Sequence, residues 1–210
     1  MPTAKNLTIA LLVAAASVLS GCSESKPNDD LAAKTVRPYA EQDLMKGIEL
    51  ADFKRDNGWV DTESSNRYKV QYTYNYRLTK PLPEVALQAA QELKNEYDAS
   101  QKNKSGFVGG FNAWAESMQL SMGAGQWINS QGDQFIKRRD TFLGNCEACI
   151  TYWNQQGSDE EVSTRRYTFI TAWSKLEALG FKDDAKTGDK ISRSAWAAFI
   201  KTEKGWKPAT

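Results

Sequence analysis

The stretch Tyr68-Lys-Val-Gln-Tyr-Thr-Tyr-Asn-Tyr-Arg-Leu78 alternates without a break. Tyr68, Val70, Tyr72, Tyr74, Tyr76 and Leu78 fall on one side, and Lys69, Gln71, Thr73, Asn75 and Arg77 on the other. A period of two sends successive side chains to opposite faces of a strand, and tyrosine, valine and threonine suit a pleated surface. The tyrosine side reads as the core face of a sheet, with rings packed inward and hydroxyls reaching its edge. The competing reading is a row of rings that stacks on sugars or bases.

Working outward, Pro81-Leu82-Pro83 ends the strand, because proline cannot donate to a ladder. A helix follows from Glu84 to Ser100, with Val85, Ala86, Ala89, Ala90, Leu93 and Tyr97 on one stripe. Upstream, Ile48 to Arg55 alternates well enough for a strand, Asn57-Gly58 reads as a turn, and Asp61 to Asn66 reads as a loop. Downstream, Arg165 to Trp173 alternates again, with Tyr167, Phe169 and Trp173 opposite Arg166, Thr168 and Ile170, which predicts another strand. Leu176 and Leu179 suggest a helical turn stopped by Gly180 in a left-handed cap. Lys182 to Lys190 is a polar loop. Ile191 to Thr202 is a further strand with Trp196, Ala198 and Ile200 on one side, and Glu203-Lys204-Gly205 turns the chain into Trp206. The expected fold is α+β: an antiparallel sheet of about four strands packed against helices, with a mainly helical insertion over residues 106–157.

That insertion holds the least polar helical stretch. Phe107, Phe111, Trp114, Ala115, Met118 and Met122 recur at helical spacing, and Gly109, Gly110, Gly123 and Gly125 punctuate it. Glycine in a helix costs about 1 kcal/mol relative to alanine, so the helix is expected to be locally soft. Its polar side carries Asn, Gln, Ser and Glu116 but no Lys or Arg, which argues against a membrane-surface helix. Phe107, Phe111, Trp114, Met118 and Met122 are the candidate binding surface; an ordinary core stripe is the competing reading.

The amino terminus sets the address. Lys5 precedes an apolar run from Leu7 to Val18, too short to cross a bilayer, which takes about 20 residues. Leu19-Ser20-Gly21-Cys22 closes it. This resembles the lipobox of bacterial lipoproteins. The resemblance implies cleavage before Cys22, a diacylglycerol thioether on its sulfur, and acylation, as by palmitate, of its new amine. Ser23, where an Asp would imply inner-membrane retention, implies the outer membrane of the cell envelope, facing the periplasm. The expected organisation is a signal peptide over residues 1–21, lipidated Cys22 with a flexible polar tether over residues 22–38, and a single α+β domain over residues 39–210. The ending from strand through Gly205 to Trp206 resembles the close of NTF2-like α+β domains over about fifteen residues.

Composition narrows the chemistry. The chain of 210 residues has 27 basic and 26 acidic side chains, and Lys5 accounts for the formal +1. A formally neutral chain after the signal makes no electrostatic case for nucleic acid or for broad attraction to anionic lipid. There is no histidine. That removes Ser-His-Asp and Cys-His catalysis and His-ligated metal centres. Carboxylate-pair chemistry remains open to it, but Asp159-Glu160-Glu161 reads as solvated surface. Asp183, Asp184 and Asp189 do not have the spacing of a calcium loop, and no phosphate loop is present.

Besides Cys22 there are two cysteines, in Asn145-Cys-Glu-Ala-Cys-Ile150. Haem attachment needs a histidine where Ile150 stands, and zinc would need two further soft ligands. A structural disulfide between Cys146 and Cys149 and a thiol-disulfide redox site remain. No catalytic residue, metal or cofactor is indicated. The leading expectation is therefore a non-enzymatic, lipid-anchored envelope protein, with the membrane and an unidentified envelope protein as partners. A redox helper built on Cys146 and Cys149, and an immunity-type lipoprotein against a periplasmic toxin, are the alternatives.

Overall fold

The computed structural model describes residues 25–42, 44–62, 64–102 and 106–209, with side chains omitted for 106–114. Cys22 lies outside the described residues. The architecture is α+β, with a four-stranded antiparallel sheet in the order β1-β2-β3-β4 and six α-helices among the described residues.

The tyrosine stretch builds the centre. It belongs to β2 (Ser64–Leu78), which pairs with β1 (Ile48–Asp61) from Ile48 opposite Leu78 to Asp61 opposite Ser64. On its other side β2 pairs with β3 (Lys190–Thr202), which turns through Gly205 (φ +98°) into the short β4 (Gly205–Pro208). Val70, Tyr72, Tyr74, Tyr76 and Leu78 are all buried, so the tyrosine row is the core face. Asn57-Gly58 is not a turn. Asn57 pairs with Gln71 and Gly58 with Val70 in mid-ladder. The glycine serves another need: a Cβ there would come within 2.7 Å of the Tyr68 ring and of the Arg55 guanidinium. The ring occupies the space a side chain would fill.

Two helical groups cover this face. α2 (Leu82–Lys102) and α6 (Asp159–Ala178) share the larger core with Tyr74, Tyr76, Leu78, Ile48 and Phe181. Between them run α3 (Gly106–Gln131), a single 3-10 turn, α4 (Phe135–Gly144) and α5 (Glu147–Asn154). These contribute Ala124, Phe142, Leu143, Cys146, Cys149 and Trp153 to the same core.

The expected strand from Arg165 to Trp173 is instead the middle of α6. Its buried residues, Thr164, Arg165, Thr168, Phe169, Ile170, Ala172, Trp173 and Leu176, follow the helical period. Ser158 caps the helix by accepting from the Glu161 N–H, and the Glu161 carboxylate returns to the Ser158 N–H. Tyr167, Phe169 and Trp173 imitated alternation, but only the helix brings Phe169 and Ile170 inward together. Gly180 does form the expected left-handed stop, at φ +91°.

The flexible tether expected as far as residue 38 is also corrected. α1 (Asp29–Glu41) begins at an Asn28 cap, whose Oδ1 accepts from the Leu31 N–H at 2.8 Å. Its Ala32 and Val36 are fully buried against Val70, Tyr72, Ala197 and Phe199 in a second, smaller core. The tyrosine hydroxyls secure the helix at both ends: Tyr72 donates to the Asp29 carbonyl at 3.1 Å and Tyr76 to the Ala40 carbonyl at 2.9 Å. Ala32, Val36 and Ala40 make a stripe of small residues, so the apolar signal was hidden in a polar-looking segment.

Candidate functional site

Among the described side chains of α3, those that reach the core lie towards its C-terminal end. Ala124 is buried, and Trp127 and Ile128 pack on the core. The Trp127 Nε1–H donates to Glu177 of α6 at 2.7 Å. Before that point two large apolar side chains face outward. Met118 and Met122 are 41% and 54% exposed, and a Cβ placed on Gly123 or Gly125 would meet nothing within 4 Å. Methionines at i and i+4 share one face, so Met118 and Met122 form an exposed, adaptable apolar strip. Phe107, Phe111 and Trp114 lie on the same helix, but their side chains are outside the described residues.

Where α3 ends, a clasp fixes it. Arg138 on α4 donates to both carboxylate oxygens of Asp183, to Glu177 and to Gln131. Its guanidinium also lies 5.2 Å and 5.0 Å from the ring centres of Trp127 and Trp173. Its hydrogen bonds to Asp183, and then to Glu177, hold the guanidinium even more firmly protonated than usual, against the opposing effect of burial. Trp173 Nε1–H adds a bond to Asp183 at 2.8 Å. Four of the five guanidinium donors have protein acceptors, so this cluster is a joint between α3, α4, α6 and the loop before β3. Sequence reading missed it, because Arg138, Glu177 and Asp183 have no common local pattern. Asp183 is thereby an ion-pair partner of Arg138, and Asp189 accepts from the Lys186 N–H. No group of three His, Cys, Asp or Glu residues that could hold a metal occurs among the described residues.

Cys146 and Cys149 are joined in a disulfide. Cys146 caps α5, its sulfur accepting from the Cys149 N–H at 3.1 Å. Cys149 is fully buried and its Sγ touches the Pro83 carbonyl oxygen at 3.2 Å; without an S–H this is a packing contact. Thiol-disulfide exchange requires in-line approach of a thiolate to a sulfur. Cys146 is 7% exposed and Cys149 not at all, so the bond closes the first turn of α5, which packs against the first turn of α2.

Asp159, Glu160 and Glu161 are exposed in the first turn of α6, where carboxylates suit the helix dipole. The Ser158 N–H and hydroxyl hold Glu161 below the usual carboxylate range.

The other side of the sheet is largely open, and at one end Thr35 and Tyr39 of α1 line a recess with Arg67, Lys69 and Trp196. Along it, the ladder sets Lys54 opposite Thr73, Asn57 opposite Gln71 and Trp59 opposite Lys69; across β2 it sets Ser194 opposite Thr73, Trp196 opposite Gln71 and Ala198 opposite Lys69. Trp59 is 40% exposed and Trp196 63%. Trp196 was expected on one side of its strand with Ala198 and Ile200. It is, and that side is the open one. At the far end Asp52 takes a left-handed conformation (φ +54°) at a bulge. It accepts from Lys190 at 2.7 Å and Asn75 at 2.8 Å. The Lys190 hydrogen bond, followed by that from Asn75, holds its carboxyl below the usual range.

No family model, curated protein or solved structure matches this chain.

Proposed function

We propose that this chain is an outer-membrane lipoprotein facing the periplasm, anchored through acylated Cys22, that acts as a non-enzymatic binding module for another envelope protein. The address rests on Leu19-Ser20-Gly21-Cys22. The binding role rests on one observation: α3 is a 26-residue helix whose outward part carries exposed Met118 and Met122. A protein surface seldom leaves adjacent large apolar side chains on a lightly docked helix without a use for them. With Pro27 buried and α1 beginning at Asp29, the packed domain starts within a few residues of Cys22 along the chain. The burial of Cys149 weighs against the redox alternative.

Two measurements test this. Cells fed a labelled palmitate analogue should label the chain, and Cys22→Ser should lose both the label and sedimentation with membranes. Photo-crosslinking residues placed at Met118 and Met122 in intact cells should give a discrete adduct with one envelope protein. Labelled chain without any adduct would leave the address standing and sink the α3 interface.

A further inference from the structure

The open face of the sheet differs in chemistry from α3. Two exposed indoles, Trp59 and Trp196, stand on it. The strands that carry them are separated by β2, and the positions are offset by two residues along the ladder. That puts their Cα atoms roughly 12 Å apart. The surface around and between them is made of amides and hydroxyls: Asn57 and Gln71, then Thr73 and Ser194. A protein interface centres on a continuous apolar patch with charge excluded. Here the rings are isolated from each other by Lys69 and Gln71, so each can stack singly while the amides meet hydroxyl groups. This arrangement suits a ligand of flat rings with apolar faces and hydroxyl rims.

The charges around the indoles add a sign. Lys54, Arg67, Lys69 and Lys207 project from the same side of the sheet, because Lys207 pairs with Ile200 and Ile200 with Arg67. Of these, Lys69 is paired with Asp61 at 3.3 Å and lies 5.9 Å from the Trp196 ring centre. Lys54, Arg67 and Lys207 have no ion-pair partner among the described residues. Arg67 holds its Nε away from water with no hydrogen-bond partner, in a recess also lined by Asp61, Lys69 and Trp196 and, from α1, by Thr35 and Tyr39. Asp61 is 5% exposed and already paired. Towards the other end the charges are matched, Asp52 with Lys190 and Glu49 with Arg77. Arg67 and Lys207 stand at the tryptophan end, and Lys54 stands between the two ends, in a recess with Asp52, Thr73 and Asn75.

We infer that this face binds an extended polysaccharide bearing carboxylates, its sugar rings stacking on Trp59 and Trp196 and its acid groups meeting Lys54, Arg67 and Lys207. The inference rests on the binding-module reading, but needs neither the lipid anchor nor the α3 interface.

The test is calorimetric titration of the full chain in detergent with three probes: oligogalacturonate, a chito-oligosaccharide and oligodeoxythymidine. Oligogalacturonate should bind saturably and more tightly than the other two. Trp196→Ala and Trp59→Ala should each weaken it about tenfold, the usual scale for losing one stacked ring, with circular dichroism unchanged. Arg67→Gln with Lys54→Gln should flatten its salt dependence. Met118→Glu with Met122→Glu should leave it unaltered, which separates failure here from failure of the α3 interface. The inference falls if oligogalacturonate does not bind, or if both tryptophan variants bind it normally. Equal binding of the neutral chito-oligosaccharide would overturn the acidic ligand, and tighter binding of oligodeoxythymidine would overturn the saccharide.

Discussion

The two faces of the sheet are built from the same strands and follow opposite rules. On one, Tyr72, Tyr74 and Tyr76 are buried and end in backbone hydrogen bonds or ring contacts. On the other, Trp59 and Trp196 are held in water beside lysines and amides. Aromatic content therefore does not mark a core here; what lies opposite the face does. α1, α2 and α6 lie over the tyrosines, whereas at the tryptophans only the Thr35 and Tyr39 side of α1 comes near, at the rim of the recess beside Trp196. Burying an aromatic contributes stability in proportion to the apolar area removed from water, so the two sets should respond to truncation on different scales.

The sharpest contrast is between two tryptophans. Trp173 is 1% exposed, stacks on Phe142 at 4.1 Å between ring centres and donates to Asp183. Trp173→Ala should cost about 3–5 kcal/mol in urea unfolding. Trp196→Ala should stay within about 0.5 kcal/mol. A loss at Trp196 comparable to that at Trp173 would mean that the open face is covered, and the contrast would collapse.

Next in size is the Arg138 clasp. Its side chain is 21% exposed and its partners Glu177 and Asp183 39% and 28%, so water screens part of the interaction. Arg138→Met should cost about 2 kcal/mol, below the cost of breaking a fully buried pair. A double-mutant cycle with Asp183→Asn should show strong coupling; additive losses would show the joint to be independent contacts. Removing the disulfide with Cys146→Ala and Cys149→Ala should also cost about 2 kcal/mol, the loop-entropy scale for so small a ring. Tyr76→Phe removes only the hydroxyl bond to Ala40 and should cost about 1 kcal/mol, loosening α1 before the sheet in hydrogen exchange.

The smallest effect is in pH. Asp52 and Glu161 both titrate below their ordinary range in the folded chain. Their contribution is complete above the unfolded carboxylate values near pH 4 and is lost as pH falls through the folded ones. Asp52→Asn and Glu161→Gln should each slightly flatten the acid limb of a stability profile. At the alkaline end, burial raises Tyr72 and Tyr152. Stability should therefore fall as pH rises beyond about 10, the unfolded tyrosine value, and an unchanged limb in Tyr152→Phe would show that this tyrosine takes no part.

Legibility followed the range of the interactions. β2, α2, β3 and the Gly180 stop could be read because each is marked within a few residues by periodicity, proline or glycine. The segment from Arg165 to Trp173 was misread because aromatic alternation is a weak local signal that the Ser158–Glu161 capping box outweighs. α1 was missed because alanines at Ala32 and Ala40 show their worth only against Tyr72, Tyr76 and Phe199. In the candidate surfaces, Met118 and Met122 could be picked out by spacing, whereas the pairing of Trp59 with Trp196 depends on a register spanning three strands.

By itself the sequence determined the period-two sheet, the class of fold, the oxidisable cysteine pair and the absence of histidine chemistry, since these depend on residue type and neighbours along the chain. Only the tertiary structure decided which aromatics are core, that Cys149 is sealed beneath α2, and that Arg138 joins four elements. Burial and ion pairing are relations between segments far apart in the chain, and the sheet register and helix docking that create them are settled only when the whole domain packs.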